Sequence, residues 1–385
     1  MFTTRFERLP VYLLATIPQK KRDLIALGVD VIDLGAGDAD LAPPPGAVAA
    51  LKSAAEDPTM SRYGFGLGLP AYREAVSAWM QKRFGHTFDP LKEVVPLIGS
   101  KEGIGHLAFA YLQKGDVAII PDPGYLAYLG GTLLSEAEPY LYPITPRTNF
   151  LVELDEIPAD VLKRAKILYL NYPNNPTAAV APVEYLERVV RRCKELGIII
   201  VYDNAYSEMT FDGYVAPSIF DVPGARDVAI EFHSLSKTYN MTGWRSGAVI
   251  GNADLVSAYW QLKTNIDSGM FEAIQEASVA ALASDQSSVA QMCEIYRRRR
   301  DVLVEALRAI GVEVNSPKGT IYLWARVPAG QTSAAFCERV LEEAAVVISP
   351  GSAYGPSGEG FIRMSLTVPD DRLNEAAQRI ARLVA

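Results

Sequence analysis

The chain has 385 residues, 49% of them hydrophobic, so it can bury a sizeable core and is long enough for two domains. Its formal net charge of −8 argues against a protein that binds nucleic acid through charge. The three cysteines and three histidines are scattered, which predicts neither a disulfide framework nor a zinc site, and no metal is expected.

The N-terminal segment carries only a short apolar stretch, residues 11–17, with no small-residue cleavage site after it. No apolar run in the sequence approaches the roughly 20 residues that span a membrane. We therefore expect a cytoplasmic protein that binds neither membrane nor nucleic acid. We also expect residues 1–40 to pack with a smaller domain formed by the end of the chain.

Six short apolar runs rich in valine and isoleucine come next and predict strands that are buried on both faces. They are residues 94–98, 117–120, 167–170, 198–202, 228–232 and 248–250. The segments between them are helix-like, as in residues 182–197, which begin with Pro182 and end with Gly197. This alternation predicts an α/β domain over residues 41–275, with a mostly parallel sheet between helices.

The pattern changes after about residue 270 to a long amphipathic stretch, two short strand-like pieces and a closing helix. We interpret residues 276–385 as a smaller α+β domain. The basic run Arg297–Arg300 lies on the amphipathic stretch with acidic residues after it. We interpret this run as a solvated helix face rather than a nucleic-acid contact.

Polar clusters directly follow five of the predicted strands, and they read GSKEG, PDPGY, NYPNNPT, DNAYSE and HSLSK. Ligands of open α/β sheets bind at the carboxyl ends of the strands, so these clusters should meet at one site. Lys237 in the last cluster is the most informative residue, because a partly desolvated amine there is a usable nucleophile. Such a lysine, combined with an aspartate for a pyridinium nitrogen, is the recurring arrangement around pyridoxal phosphate, and Asp203 ends the preceding strand.

These motifs resemble those of the class I/II aminotransferases, which are pyridoxal phosphate enzymes of fold type I. The resemblance rests on VIDLGAGDAD, PNNPT, YDNAY, SLSKTYNMTGWR and FIRMSL, which occur in family order along nearly the whole chain. It implies an aspartate aminotransferase-like fold and pyridoxal 5′-phosphate as cofactor. It further implies a ping-pong transfer of amino groups between an L-amino acid and a 2-oxo acid, in a homodimer with composite active sites.

The resemblance also implies roles for individual residues. Lys237 would carry the cofactor and move the substrate Cα proton, Asp203 would pair with the pyridine nitrogen, and Tyr206 would hydrogen-bond the ring oxygen. The implied cofactor-binding residues are Ser100, Lys101, Tyr125, Asn175, Asp203, Tyr206, Ser234, Lys237, Arg245 and, reaching into the neighbouring subunit, Tyr63. Of these, Ser100, Ser234 and Arg245 would hold the phosphate.

On the substrate side, the resemblance implies that Arg363 forks onto the α-carboxylate with help from Asn175 and the backbone of Gly37. Tyr12 falls where related enzymes touch the distal part of their substrate. Sequence segments such as LPVYLLATIPQKK and TNIDSGMFEAIQEA most closely resemble those of the LL-diaminopimelate aminotransferases and their broad-specificity bacterial relatives.

One departure from that pattern leaves more than one substrate compatible with the sequence. LL-diaminopimelate aminotransferases usually carry a glutamate for the distal ammonium in the loop that here reads GFGLG, residues 64–68, without a carboxylate. An unpaired ammonium in a closed site would be costly. The alternatives are therefore LL-diaminopimelate with 2-oxoglutarate, a broad aspartate, alanine or glutamate aminotransferase, and a carbon-sulfur β-lyase that uses the same cofactor.

Overall fold

The structure is a computed structural model that describes residues 2–10, 16–64 and 68–383. Its strands are β1 (Ile32–Asp33), β2 (Val94–Ile98), β3 (Val117–Asp122), β4 (Glu138–Pro143), β5 (Ala165–Leu170), β6 (Ile199–Asp203), β7 (Ala229–Ser234), β8 (Ser246–Gly251), β9 (Tyr322–Arg326), β10 (Val346–Val347), β11 (Ser349–Pro350) and β12 (Phe361–Ser365).

The α-helices are α1 (Thr4–Glu7), α2 (Thr16–Ala26), α3 (Pro45–Glu56), α4 (Pro70–Phe84), α5 (Ser100–Tyr111), α6 (Leu126–Leu134), α7 (Ala159–Arg164), α8 (Val183–Leu196), α9 (Leu235–Thr238), α10 (Ala253–Lys263), α11 (Glu272–Leu282), α12 (Ser287–Ala309), α13 (Ser333–Ala344) and α14 (Asp370–Ile380). Within the described residues, none of these helices combines the length and apolarity needed to cross a membrane.

A seven-stranded sheet organises the larger part of the molecule, in the order β2-β8-β7-β6-β5-β3-β4. Neighbouring strands are parallel except at β8, which is antiparallel to both β2 and β7. The other six strands therefore end at one edge of the sheet, and β8 begins there. This is the edge at which the predicted polar clusters should meet.

The six predicted strands are confirmed, because each apolar run coincides with one of β2, β3, β5, β6, β7 and β8 to within two residues. Both faces of the sheet are covered, as alternate residues of β6 show. Ile200 and Tyr202 pack into one apolar layer, whereas Val201 packs into the other. The α/β sandwich that the sequence predicts is therefore the fold of this part of the chain.

Strand β4 was not predicted, because its sequence lacks the continuous apolar run of the other strands. It lies at the edge of the sheet, and of its residues only Tyr142 is buried. An edge strand packs on fewer neighbours than a central one, so its side chains need not be apolar. This sequence pattern does not distinguish such a strand from a loop.

Helix α8 shows how the local sequence sets an element. Pro182 precedes its first turn, and Gly197 ends it in the left-handed region at φ +67°. Between them, Tyr185, Leu186 and Val189 recur on one helix face and are buried against the sheet.

The C-terminal part contains a small antiparallel sheet in the order β11-β12-β9 together with α12, α13 and α14. Strand β1, from the N-terminal segment, pairs in parallel with β10. The predicted division after residue 275 falls inside α11, which packs against α3 and α4. We propose that the two domains divide after α11 instead, between residues 282 and 287.

The interpretation of the basic run as a solvated face is wrong for two of its four residues. Arg299 and Arg300 are each 4% exposed. Arg299 donates to Asp40 at 2.8 Å and Arg300 to Asp212 at 2.5 Å, so carboxylates from distant segments compensate the buried charges. The sequence of a run of like charges does not show which distant carboxylates will pair with it.

Candidate active site

The carboxyl edge of the large sheet and the C-terminal part together line a cavity of about 720 Å³. Most of the residues predicted for the site contribute to its wall. These are Gly37, Ser100, Lys101, Tyr125, Asn175, Asp203, Tyr206, Ser234, Lys237, Arg245 and Arg363. The polar clusters after the strands therefore converge, as the sequence predicts.

Two predicted residues do not appear in this wall. Tyr63 is 71% exposed and lies outside the cavity of its own chain. Its predicted role is in a neighbouring subunit, so this position leaves the prediction standing. Tyr12 lies outside the described residues.

Lys237 is one of the residues that line the cavity. It lies in the short helix α9, directly after β7, and is half-buried. Its Nζ donates a hydrogen bond to the carbonyl oxygen of Gly37 at 2.7 Å. This contact holds the amine between the sheet edge and the N-terminal segment.

Asp203 is the last residue of β6 and is 5% exposed. Its Oδ2 accepts a hydrogen bond from the Tyr128 hydroxyl at 2.8 Å, whereas its Oδ1 has no hydrogen-bond partner. Burial raises the pKa of this carboxyl to about 6, and the hydrogen bonds from Tyr128 and the Ala205 backbone only partly oppose the shift. A cation placed against Oδ1 would compensate the buried charge.

The start of α5 and the segment before β8 form an anion site at one end of the cavity. Gly99 caps α5 at φ +73°, and a Cβ at this position would lie only 2.3 Å from Nη2 of Arg245. Glycine therefore lets the guanidinium approach the free N–H groups of the helix N-terminus. Ser236, which also lines the cavity, has a buried hydroxyl without a hydrogen-bond partner.

Arg363 lies at the other end of the cavity, on β12, and is 6% exposed. Its Nη1 donates to Asn175 Oδ1 and its Nη2 to the carbonyl oxygen of Gly35, both at 2.9 Å. Its Nε is buried and has no hydrogen-bond partner among the described residues. Each terminal nitrogen uses one of its two N–H groups in these contacts, so the guanidinium has further N–H groups to offer a carboxylate.

Several residues at the site were not predicted from the sequence. Asn171 donates to the carbonyl oxygen of Asp203 and accepts from the Asn175 amide, both at 2.7 Å. It belongs to the polar cluster after β5, so that cluster contained the signal. Tyr322 and Tyr354 line the cavity from the C-terminal part, where no motif pointed to them.

Taken together, the cavity offers an amine, a buried carboxylate oxygen without a partner, an anion site and an arginine with an unused donor. These groups match a ligand that carries a carbonyl group, a basic ring nitrogen and a phosphate, together with a carboxylate-bearing substrate. The unpaired atoms of Asp203, Ser236 and Arg363 are buried polar groups that such ligands would satisfy.

Comparison with known proteins matches this geometry to one family. The family described as aminotransferase class I and II matches residues 29–380. An LL-diaminopimelate aminotransferase from Desulforudis audaxviator is 50% identical over 376 residues, covering 98% of this chain and 96% of that protein. Among solved structures, substrate-bound BacF from Bacillus subtilis is 33% identical, with a TM-score of 0.94 and coverage of 99% and 97% of the two chains. A mutant aspartate aminotransferase from Thermus thermophilus is 27% identical, with a TM-score of 0.92 and 99% coverage of both chains.

Proposed function

The chain belongs to the class I and II aminotransferases and is an enzyme that transfers amino groups, and from this premise we propose LL-diaminopimelate as its amino donor and 2-oxoglutarate as its acceptor. The observation that carries the substrate proposal is the 50% identity, over almost the full length of both chains, with an enzyme named for that donor. An enzyme of this kind would serve amino-acid biosynthesis.

The family and the aspartate aminotransferase-like fold imply pyridoxal phosphate, and we propose that it is held in the cavity described above. Asp203 Oδ1 would face its ring nitrogen, and Ser100, Ser234 and Arg245 would hold its phosphate. When bound, this cofactor supplies an aldehyde that combines with amino groups and a ring that withdraws electrons from the substrate Cα.

The protein's own groups would then perform three tasks. Lys237 would act as the general base that takes the proton from the substrate Cα and returns it. Asp203 would remain ionised against the ring nitrogen. Arg363 would fix the α-carboxylate, which places the Cα–H bond within reach of the lysine amine.

The distal ammonium of LL-diaminopimelate also needs a partner. Residues 64–68 contain no carboxylate. Besides Asp203, the only carboxylate among the described residues that line the cavity belongs to Asp38, which is exposed there. Asp38 is therefore the group in this wall that we propose for the distal ammonium, while Lys101 has the charge suited to the distal carboxylate.

We also propose a homodimer, in which Tyr63 of each chain completes the site of the other. The exposure of this tyrosine outside its own cavity supports the proposal, as do the exposed apolar side chains of Ile266 and Phe271 in the segment between α10 and α11. Large apolar residues exposed at a surface are typical of a protein contact.

The test of the function is an absorbance titration of the purified protein with single amino donors in the absence of a 2-oxo acid. We expect a yellow cofactor band that is absent in a Lys237→Ala variant. LL-diaminopimelate and glutamate should shift the band into the near ultraviolet. Conversion by aspartate, alanine or glutamate without conversion by LL-diaminopimelate would instead identify a broad aminotransferase. Absence of the band would refute the cofactor proposal.

A further inference from the structure

Tyr322 was not part of any motif in the sequence, yet it contacts both Arg363 and Tyr206 in the catalytic cavity. It begins β9, is 3% exposed and lines the cavity wall. We propose that Tyr322 is a positioning residue that orients the Arg363 guanidinium toward the α-carboxylate of the substrate. The inference rests on the proposed function, since that function assigns the α-carboxylate to Arg363.

The sheet register places Tyr322 beside Arg363. Arg363 on β12 lies opposite Trp324 on β9, and Tyr322 lies two residues before Trp324. Residues two apart on a strand share a face, so Tyr322 is the diagonal cross-strand neighbour of the arginine. The pairing of β9 with β12 thus brings the two side chains together without any loop.

Two aromatic rings hold the guanidinium. Its central carbon lies 4.0 Å from the ring centre of Tyr322 and 4.5 Å from that of Tyr354. Contact with ring faces stabilises the cation and restricts the orientation of its plane. Each terminal nitrogen carries two N–H groups and uses one of them, on Asn175 or on Gly35. The aromatic contacts restrict the plane of the guanidinium and with it the directions of the remaining N–H groups.

The hydroxyl of Tyr322 lies near Tyr206 and Gly37. It lies 3.4 Å from the Tyr206 hydroxyl. A Cβ on Gly37 would lie only 2.0 Å from it, so the hydroxyl occupies space that any other residue at position 37 would need. The carbonyl of Gly37 in turn accepts the hydrogen bond from Lys237. The side chain of Tyr322 therefore contacts Arg363 with its ring and lies with its hydroxyl beside Gly37, which holds the Lys237 amine.

The electrostatic surroundings differ from those of an ordinary core tyrosine. Burial by itself would raise the pKa of Tyr322, but the positive charges of Arg363 and Lys237, together with hydrogen bonds to Tyr206 and Arg363, outweigh burial and lower it. By contrast, burial raises the pKa of the neighbouring Tyr206. A tyrosine that only filled apolar space would lie beside neither cation.

The experiment compares Tyr322→Leu and Tyr322→Phe in the holoenzyme, using glutamate as a donor with an α-carboxylate. O-Methylhydroxylamine, which reacts with the bound cofactor and has no carboxylate, serves as the reference. We expect Tyr322→Leu to raise KM for glutamate about 10-fold, with kcat changed much less. Its reaction rate with O-methylhydroxylamine should stay within about 3-fold of the wild type. Tyr322→Phe keeps the ring under the guanidinium and should raise KM only slightly.

Tyr322→Met provides a second variant of unbranched shape should the leucine variant fold poorly, and the same rise in KM is expected. Equal losses with glutamate and O-methylhydroxylamine would overturn the inference, because they would indicate general damage. A loss in Tyr322→Phe as large as that in Tyr322→Leu would also overturn it. If the wild-type enzyme is converted by no donor at all, the proposed function fails first, and this inference fails with it.

Discussion

The buried carboxylate of Asp203 has one oxygen, Oδ1, without a hydrogen-bond partner among the described residues. Its ionisation should destabilise the folded protein until a cation binds beside it. The pKa of the Asp203 carboxyl is about 6 in the folded protein and about 3.9 in an unfolded chain. Between about pH 3.9 and about pH 6, the folded state therefore keeps a proton on this carboxyl that the unfolded state has already released. Stability of the cofactor-free protein should therefore fall as pH rises through this window. The full cost, about 3 kcal/mol, would apply above pH 6.

We predict that Asp203→Asn makes the cofactor-free protein more stable at pH 8 while lowering kcat of the cofactor-loaded enzyme roughly 100-fold. The stability difference should shrink toward zero as the pH falls below about 4, because the wild-type carboxyl is then largely protonated in both the folded and the unfolded state. Urea unfolding of the cofactor-free protein at several pH values measures the first effect, and steady-state kinetics of the cofactor-loaded enzyme measures the second. A difference in stability that is independent of pH would contradict the assignment.

Among individual site residues, the sequence predicted those that lie just after the end of a strand. Asp203, Ser234 and Asn175 lie in the polar clusters that follow apolar runs, and the fold brings these clusters together. Tyr322 and Tyr128 could not be found in this way. They stand in mostly apolar segments, where a tyrosine looks like core, and only long-range packing reveals that each hydroxyl meets a site residue.

Among the elements, α5 depends on a buried network for the placement of its N-terminus. Glu102, in its first turn, accepts hydrogen bonds from the Ile98 amide at 3.2 Å and from Lys263 of α10 at 3.1 Å. It also accepts from Tyr259 at 2.5 Å. Lys263 is 1% exposed and bonds Asp267 as well, so its ammonium is the cation that balances these two carboxylates.

We predict that Lys263→Met destabilises the protein by about 3 kcal/mol, because it leaves a buried carboxylate without its cation. The double variant with Glu102→Gln should recover at least half of that loss. Lys263→Met should also weaken cofactor retention, since α5 begins at the anion site. Denaturant unfolding and dialysis against cofactor-free buffer measure the two effects, with Lys92→Met at an exposed site as the control. A loss below about 1 kcal/mol, or no recovery in the double variant, would refute the role of this network.

The sequence predicted which apolar runs form the central strands, but it did not give their directions. The run at residues 248–250 predicted a strand, and the structure shows that β8 is antiparallel to both of its neighbours. A strand buried on both faces carries a continuous apolar run in either direction, so the pattern contains no sign of polarity.

For the whole molecule, the proposed composite sites predict complementation between two damaged chains. A hybrid dimer of one Lys237→Ala chain and one Tyr63→Ala chain would have one site with both lesions and one intact site. We expect each parent homodimer to be strongly impaired and the purified hybrid to show roughly half of the wild-type activity.

Differently tagged chains, co-expressed and purified through both tags, provide the hybrid for this measurement. The matched control pairs Lys237→Ala with Asp203→Ala, two lesions in residues of the same chain's cavity. That hybrid should stay inactive, because each of its sites keeps one lesion. Equal activity of the two hybrids would show that Tyr63 acts within its own chain.

The insertion of β8 between β2 and β7 also has a consequence for how the protein is made. Strand β2 lies at an end of the sheet order, and β8 is its only partner among the described strands, although about 150 residues of chain separate the two. During translation, β2 therefore has no strand to pair with until the ribosome has synthesised β8, which ends at residue 251. The start of α5, directly after β2, lacks its final surroundings until then. Pairings over such separations are slow to form. The anion site, which joins Gly99 to Arg245 across this pairing, can be completed only late in synthesis, so a nascent chain should gain its cofactor only after most of it has emerged.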